Sequence, residues 1–138
     1  MKKLQRILTT LSSIISIGFG VWHFFVPILW DWYSYIDQEA TELIVAVRAI
    51  NVFFSLSLVL FGVINIILIN HKKTERFTLL IILSATSILW SIRVIMQIFY
   101  PQGSLNTALQ YSMLFTFILV LSGYFISLII LLFYKQNH

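Results

Sequence analysis

Four stretches of this chain, about Ile7 to Trp30, Leu43 to Asn70, Phe77 to Tyr100 and Ala108 to Tyr134, run almost without ionisable side chains. Each reaches the roughly 20 apolar residues that a helix needs to cross a bilayer. Backbone groups in lipid must satisfy one another, so an apolar run of this length folds as a helix. Little chain remains between the runs, and only 10% of the 138 residues are charged against 59% hydrophobic, far from the balance of a soluble domain. The expected fold is therefore all-α, a polytopic membrane protein whose four transmembrane helices form one up-down bundle, a single domain over residues 1–138.

The few charges are sorted by position. Lys2, Lys3, Arg6, Lys72, Lys73, Arg76 and Lys135 fall in the N-terminal segment, the second connection and the C-terminal segment, whereas Asp31, Asp37, Glu39 and Glu42 fall at the first connection. The positive-inside rule then predicts a multi-pass cell-membrane protein with both termini and the second connection in the cytoplasm. The net charge of +4 reads as a topology signal, and no nucleic-acid partner is expected. The first apolar run is too long for a signal-peptide core and ends in Trp22-His23-Phe24-Phe25-Val26-Pro27 without a small-residue cleavage site, so it reads as a retained span. With no cysteine, disulfides, thiolate metal sites and dithiol redox chemistry are excluded.

The connections carry their own signals. Asn70 to Arg76 is short enough to make spans two and three antiparallel neighbours, and Pro101 to Thr107 combines turn residues with an Asn or Thr cap for span four. The first connection crowds Trp30, Trp32, Tyr33 and Tyr35 around Asp31 and Asp37. Such aromatics favour the headgroup level, as an anchor, a short surface helix, or a lid over an outward-facing pocket.

Residues three and four apart share a helix face, so polar and small residues at that spacing mark the side turned from lipid. Span one offers Ser12, Ser16, Gly20, His23 and Pro27; span two Arg48, Asn51, Ser55, Gly62 and Asn65. Span three offers Thr86, Trp90, Arg93 and Gln97, with Ser84, Ser87 and Ser91 adjoining, and span four Ser112, Thr116, Gly123 and Ser127. Small residues let backbones approach, and Ser, Asn and Gln hydrogen-bond between helices. Packing does not require His23, Arg48 or Arg93, because an ionisable group at membrane depth is costly.

With a rise of about 1.5 Å per residue, these three residues lie on the order of 10 Å below an outer boundary near Trp30, Glu42, Tyr100 and Thr107, and Asn51 and Trp90 roughly 14 Å below it. Gln97, Gln110 and Tyr111 fall above that layer. The expected ligand site is an outward-facing polar pocket of His23, Arg48, Asn51, Trp90, Arg93, Gln97 and Tyr111, with Trp22 as a further wall. Arginine presents planar donors suited to an anionic or carbonyl oxygen, and a histidine can relay a proton or bond a quinone oxygen. The competing expectation is that Glu42, Glu39, Asp37 or Asp31 pairs with an arginine, or that both arginines snorkel to the interface.

Other chemistries lack their residues. A haem between two histidines needs a second intramembrane His, and His71 and His138 belong to the opposite side. His23 alone makes a weak metal site, no carboxylate sits in mid-span for proton-coupled export, and no spacing pairs Ser91 with His23 for hydrolysis. No catalytic residue, metal site or cofactor follows from these residues.

The run Gly20-Val21-Trp22-His23-Phe24-Phe25-Val26-Pro27 resembles the G-x-x-[H/K]-F-x-x-P pattern near the end of the first helix of DoxX-like proteins, small four-helix bacterial membrane proteins. The likeness marks Gly20, His23, Phe24 and Pro27. That family's name member is similar to a membrane subunit of a thiosulfate:quinone oxidoreductase, so the resemblance implies quinone as a ligand and no catalytic residue here. The function expected from residues and resemblance together is non-catalytic: binding of a small anionic or carbonyl/quinone-like ligand or a lipid, or service as a small subunit beside a membrane-protein partner. A small transporter or channel, as a homodimer, and a structural protein with internally paired arginines are the alternatives.

Overall fold

The computed structural model describes residues 2–103 and 106–133. Ser104 and Leu105 of the third connection, and Tyr134, Lys135 and His138 beyond the fourth span, lie outside the described residues. Four long helices account for nearly all of it: α1 (Lys2–Leu29), α2 (Thr41–Asn70), α3 (Arg76–Phe99) and α4 (Thr107–Phe133). All four are long and apolar enough to cross a membrane. Their outward faces carry large exposed apolar side chains such as Leu11, Phe25, Phe53, Ile88 and Phe115, the surface a bilayer would cover. The chain is an all-α, four-helix membrane bundle.

The least hydrophobic span, α1, is also the most buried and stands at the centre of the packing. Its predicted stripe of Ser12, Ser16, Gly20, His23 and Pro27 is buried in full. Close approach to α2 depends on glycines from both helices. A Cβ on Gly20 would lie 2.8 Å from the Ser55 carbonyl oxygen, and one on Gly62 would lie 2.6 Å from Ile17 Cγ1 and 2.9 Å from the Ser13 carbonyl oxygen. On its other side α1 meets α4 through polar bonds. Gln5 Nε2 donates to the Ser127 carbonyl at 3.3 Å, Ser127 Oγ, which donates to the Gly123 carbonyl of its own helix at 2.8 Å, lies 3.3 Å from the Gln5 carbonyl, and the buried Tyr124 hydroxyl donates to Ser13 Oγ at 2.9 Å.

The buried face of α4 runs through Met113, Phe117, Val120, Gly123, Tyr124, Ser127 and Leu131. Ser112 of the expected stripe is exposed, because the aromatic and aliphatic residues packed on α1 and α3 set the helix phase. Helices α2 and α3 are in contact, as the antiparallel neighbours that the short link predicts, but the contact is slight. They touch far less than α1 does α2 or α4, and α3 lies mainly on α4. The reason is competition for the close-packing face: α2 spends its small residues on α1, and its visible polar tie to α3 is Asn65 Nδ2 donating to Thr86 Oγ1 at 2.8 Å.

Between α1 and α2 the chain turns at Asp31, which has φ 48, the left-handed region that Asp tolerates better than most residues. A 3-10 helix, Trp32–Tyr35, follows, so the expected short surface helix is one tight turn. Ser34 holds it by donating both its Oγ (2.8 Å) and its N–H (3.1 Å) to the Asp31 carbonyl.

Packing that depends on absent Cβ atoms makes a direct prediction. Gly62→Ala should destabilise the protein in detergent by about 1–3 kcal/mol, the usual range for overpacking, whereas Gly18→Ala, which meets nothing within 4 Å, should leave the melting midpoint unchanged or raise it. Equal melting of the two variants would contradict the close approach.

Candidate functional site

The aromatic end of the bundle, where the first and third connections lie, gathers the ionisable groups. His23 stands in the last two turns of α1 and is buried, 4% exposed. Four residues on, Pro27 has no N–H, so the His23 carbonyl lacks its usual helical donor. The ring packs edge-on to Phe54 of α2, centroids 4.7 Å apart, and beside Phe19 of its own helix at 5.8 Å. Trp32, from the 3-10 turn, covers it edge-on at 6.2 Å. The aromatic first connection thus reaches down onto the buried histidine.

On the α2 side, Ser55 Oγ donates to the Asn51 carbonyl at 2.7 Å and lies 3.4 Å from His23 Nδ1. With its only proton engaged, the hydroxyl can only accept from Nδ1. A singly protonated ring then carries its proton there and presents Nε2 as a bare acceptor. The Asn51 side chain lies beside the same ring. Neither His23 Nε2 nor Asn51 Oδ1 has a hydrogen-bond partner, although both atoms are buried.

Arg93 approaches from α3. Its guanidinium carbon sits 4.6 Å from the Phe117 ring centroid, 5.3 Å from that of Phe54 and 5.9 Å from that of Phe19. A cation over aromatic faces gains up to about 2 kcal/mol per ring when desolvated, which offsets part of the cost of depth. Phe19 and Phe54 are the same rings that flank His23, so the two residues share one aromatic wall. Arg93 Nη2 donates to Gln102 Oε1, while its buried Nε has no partner. Gln102 is itself clamped: Gln97 Nε2 donates to the Gln102 carbonyl at 3.0 Å, and the Gln102 N–H donates to Gln97 Oε1 at 3.3 Å. Trp90, 1% exposed, closes the floor against Phe19 and Phe117.

Of the residues expected at the site, His23, Asn51, Trp90, Arg93 and Gln97 lie at this end with buried or half-buried side chains. Arg48 does not join them. Helical phase puts it on the face of Asn51 and Ser55, but near the helix end its long side chain is exposed and its guanidinium carbon lies 5.4 Å over the Tyr33 ring. Tyr111 is 62% exposed, because it lies on the opposite side of α4 from Met113 and Phe117. The expected pairing of an arginine with Asp31, Asp37, Glu39 or Glu42 is not formed: among the described residues, neither Arg48 nor Arg93 has an ion-pair partner. No three His, Asp or Glu side chains converge as metal ligands among those residues.

Phe19, Phe54 and Phe117 were not foreseen as site residues. Phe19 lies four before His23 and so on its face, a signal present in the sequence; Phe117 and Gln102 come together with Arg93 only through tertiary packing. No family model matches the chain, and neither characterised proteins nor solved structures give a match.

The Gln97 clamp is testable by stability. Gln97→Leu removes both bonds and leaves the Gln102 backbone N–H and carbonyl without them, which should cost about 1–3 kcal/mol and lower the melting midpoint in detergent. An unchanged midpoint would show that the clamp does not hold the third connection.

Proposed function

We propose that this small integral membrane protein binds a ring-bearing ligand with a hydroxyl oxygen, quinol-like in character, between α1, α2 and α3 at the aromatic end. The observation that carries the reading is the set of buried, unpartnered polar atoms around one aromatic wall: His23 Nε2, Asn51 Oδ1 and Arg93 Nε. Buried polar groups normally find partners, and each left without one costs about 1–3 kcal/mol. Two of these atoms accept and one donates. A hydroxyl oxygen supplies both complements at once, donating its proton to Nε2 or Oδ1 and accepting from the Arg93 Nε–H. A purely anionic ligand would match Arg93 but leave both acceptors empty. Phe19, Phe54 and Trp32 supply the apolar faces that a ring needs. The resemblance of Gly20-x-x-His23-Phe24-x-x-Pro27 to DoxX-like proteins favours the same class of ligand, and service beside a membrane partner that reduces or oxidises it is compatible with the site.

Solvent extraction of the purified protein followed by mass spectrometry should recover such a ligand from wild type. Arg93→Gln and His23→Ala should reduce its content roughly tenfold or more, from the loss of a hydrogen bond worth about 1.5–3 kcal/mol when a charged group takes part; Arg48→Ala should retain it. Equal content in wild type and Arg93→Gln, with both folded, would overturn the reading.

The orientation proposed is cell-membrane insertion with the basic end in the cytoplasm. Because the chain has no cysteine, single-cysteine variants report sidedness cleanly. Gln38→Cys in intact cells should react with an impermeant thiol reagent, and Lys73→Cys should react only after lysis. The reverse pattern would invert the topology.

A further inference from the structure

We propose that the basic end of the bundle holds a binding site for the phosphate-bearing headgroup of an anionic phospholipid. A cavity of about 450 Å³ opens there between the start of α1, the end of α2, the start of α3 and the last turn of α4. That volume lies within the roughly 300–1,000 Å³ of ordinary small-molecule sites. Five of its lining residues are cationic, Lys2, Lys3, Arg6, Lys72 and Arg76, and His71 joins them, while among the described residues no carboxylate lines it. Arg76 is anchored across the opening, its Nη2 donating to the Leu131 and Leu132 carbonyls at 3.0 Å each. One wall is thereby fixed.

Charge sorting by topology accounts for basic residues at this end but does not require them to enclose a cavity. Half-buried Thr74 also lines the cavity, and its hydroxyl has no hydrogen-bond partner. Nearby, α3 begins without a side-chain cap, since its N-cap Glu75 makes no such bond. A helix N-terminus of this kind favours an anion, and a phosphate oxygen would accept from the Thr74 hydroxyl while facing the lysines. The source is assigned as lipid because apolar Ile69, Leu79 and Leu131 share the lining with the basic residues, and exposed apolar Leu4, Ile7, Ile67 and Phe77 stand close to those basic residues in sequence on the same helices. Basic pockets between spans at a membrane surface are suited to acidic headgroups.

The test uses the purified full chain in a neutral detergent, with phosphatidylglycerol, phosphatidylcholine or inorganic phosphate added. Native mass spectrometry and thermal melting are read in parallel. Phosphatidylglycerol should remain bound and raise the melting midpoint, with phosphatidylcholine and millimolar phosphate doing neither. Arg6→Gln combined with Lys72→Gln should weaken phosphatidylglycerol retention roughly thirtyfold, from about 1 kcal/mol for each of the two surface cations. Thr74→Val, which keeps every charge, should weaken it by a smaller factor and guards against a folding defect in the double variant. Equal retention of the two lipids by wild type, or stabilisation by inorganic phosphate alone, would overturn the assignment. So would full retention of phosphatidylglycerol by both variants. None of these outcomes bears on the ligand at the aromatic end, whose residues are untouched.

Discussion

The close contact of α1 with its neighbours is the constraint on which the rest of the molecule depends. Helices in lipid gain no hydrophobic advantage from meeting one another, so their association rests on van der Waals packing and interhelical hydrogen bonds. Helix α1 supplies both. Gly20 and Gly62 bring carbonyl oxygens within reach of the facing backbone, and Gln5, Ser13 and Ser127 complete polar bonds to α4. Helix α2 packs mainly on α1 and helix α3 mainly on α4, with Asn65 to Thr86 as the tie between α2 and α3. That arrangement sets which side chains from α3 can face α1, and so where Arg93 arrives.

A charged arginine without a carboxylate partner is the second consequence. Three phenyl faces and the Gln102 side-chain oxygen Oε1 meet its guanidinium, and the Gln97 clamp holds Gln102 in place. The charge is therefore accommodated without being cancelled. Polarisable rings and one neutral acceptor stabilise a cation less than an opposing carboxylate would, and the buried Nε–H is left without a partner. The molecule accordingly has two unlike polar regions at its two ends: a sparse, aromatic-walled one built from single groups, and a basic one built from many charges around an open cavity.

Much of this was legible in the residues themselves. The buried stripe of α1 follows from a spacing of three and four that survives folding intact, because α1 is in contact on two sides and has no freedom to rotate. Asn51, Ser55, Gly62 and Asn65 of α2 behave likewise. Periodicity failed where a side chain is long or a helix end is loosely packed. Arg48 shares the phase of Asn51 yet leads its charge outward, and Tyr111 sits in a first turn whose phase is decided by Met113 and Phe117 deeper in the core. Proximity in the chain made α2 and α3 neighbours, but a short link constrains the ends of two helices and says little about how closely their faces pack.

The sequence by itself determined the membrane class, the number of spans, the sorting of charge between the two ends and the positions of His23 and Arg93 along their helices. All of these follow from hydrophobicity and helical rise, which are properties of single segments. Tertiary structure alone decided that Arg93 keeps company with Phe19, Phe54 and Phe117 instead of an acid, that Arg48 stays outside, and that the basic residues enclose a cavity. Those outcomes depend on how four helices share the small-residue faces of one of them, a choice made by close packing between segments, which no single segment encodes.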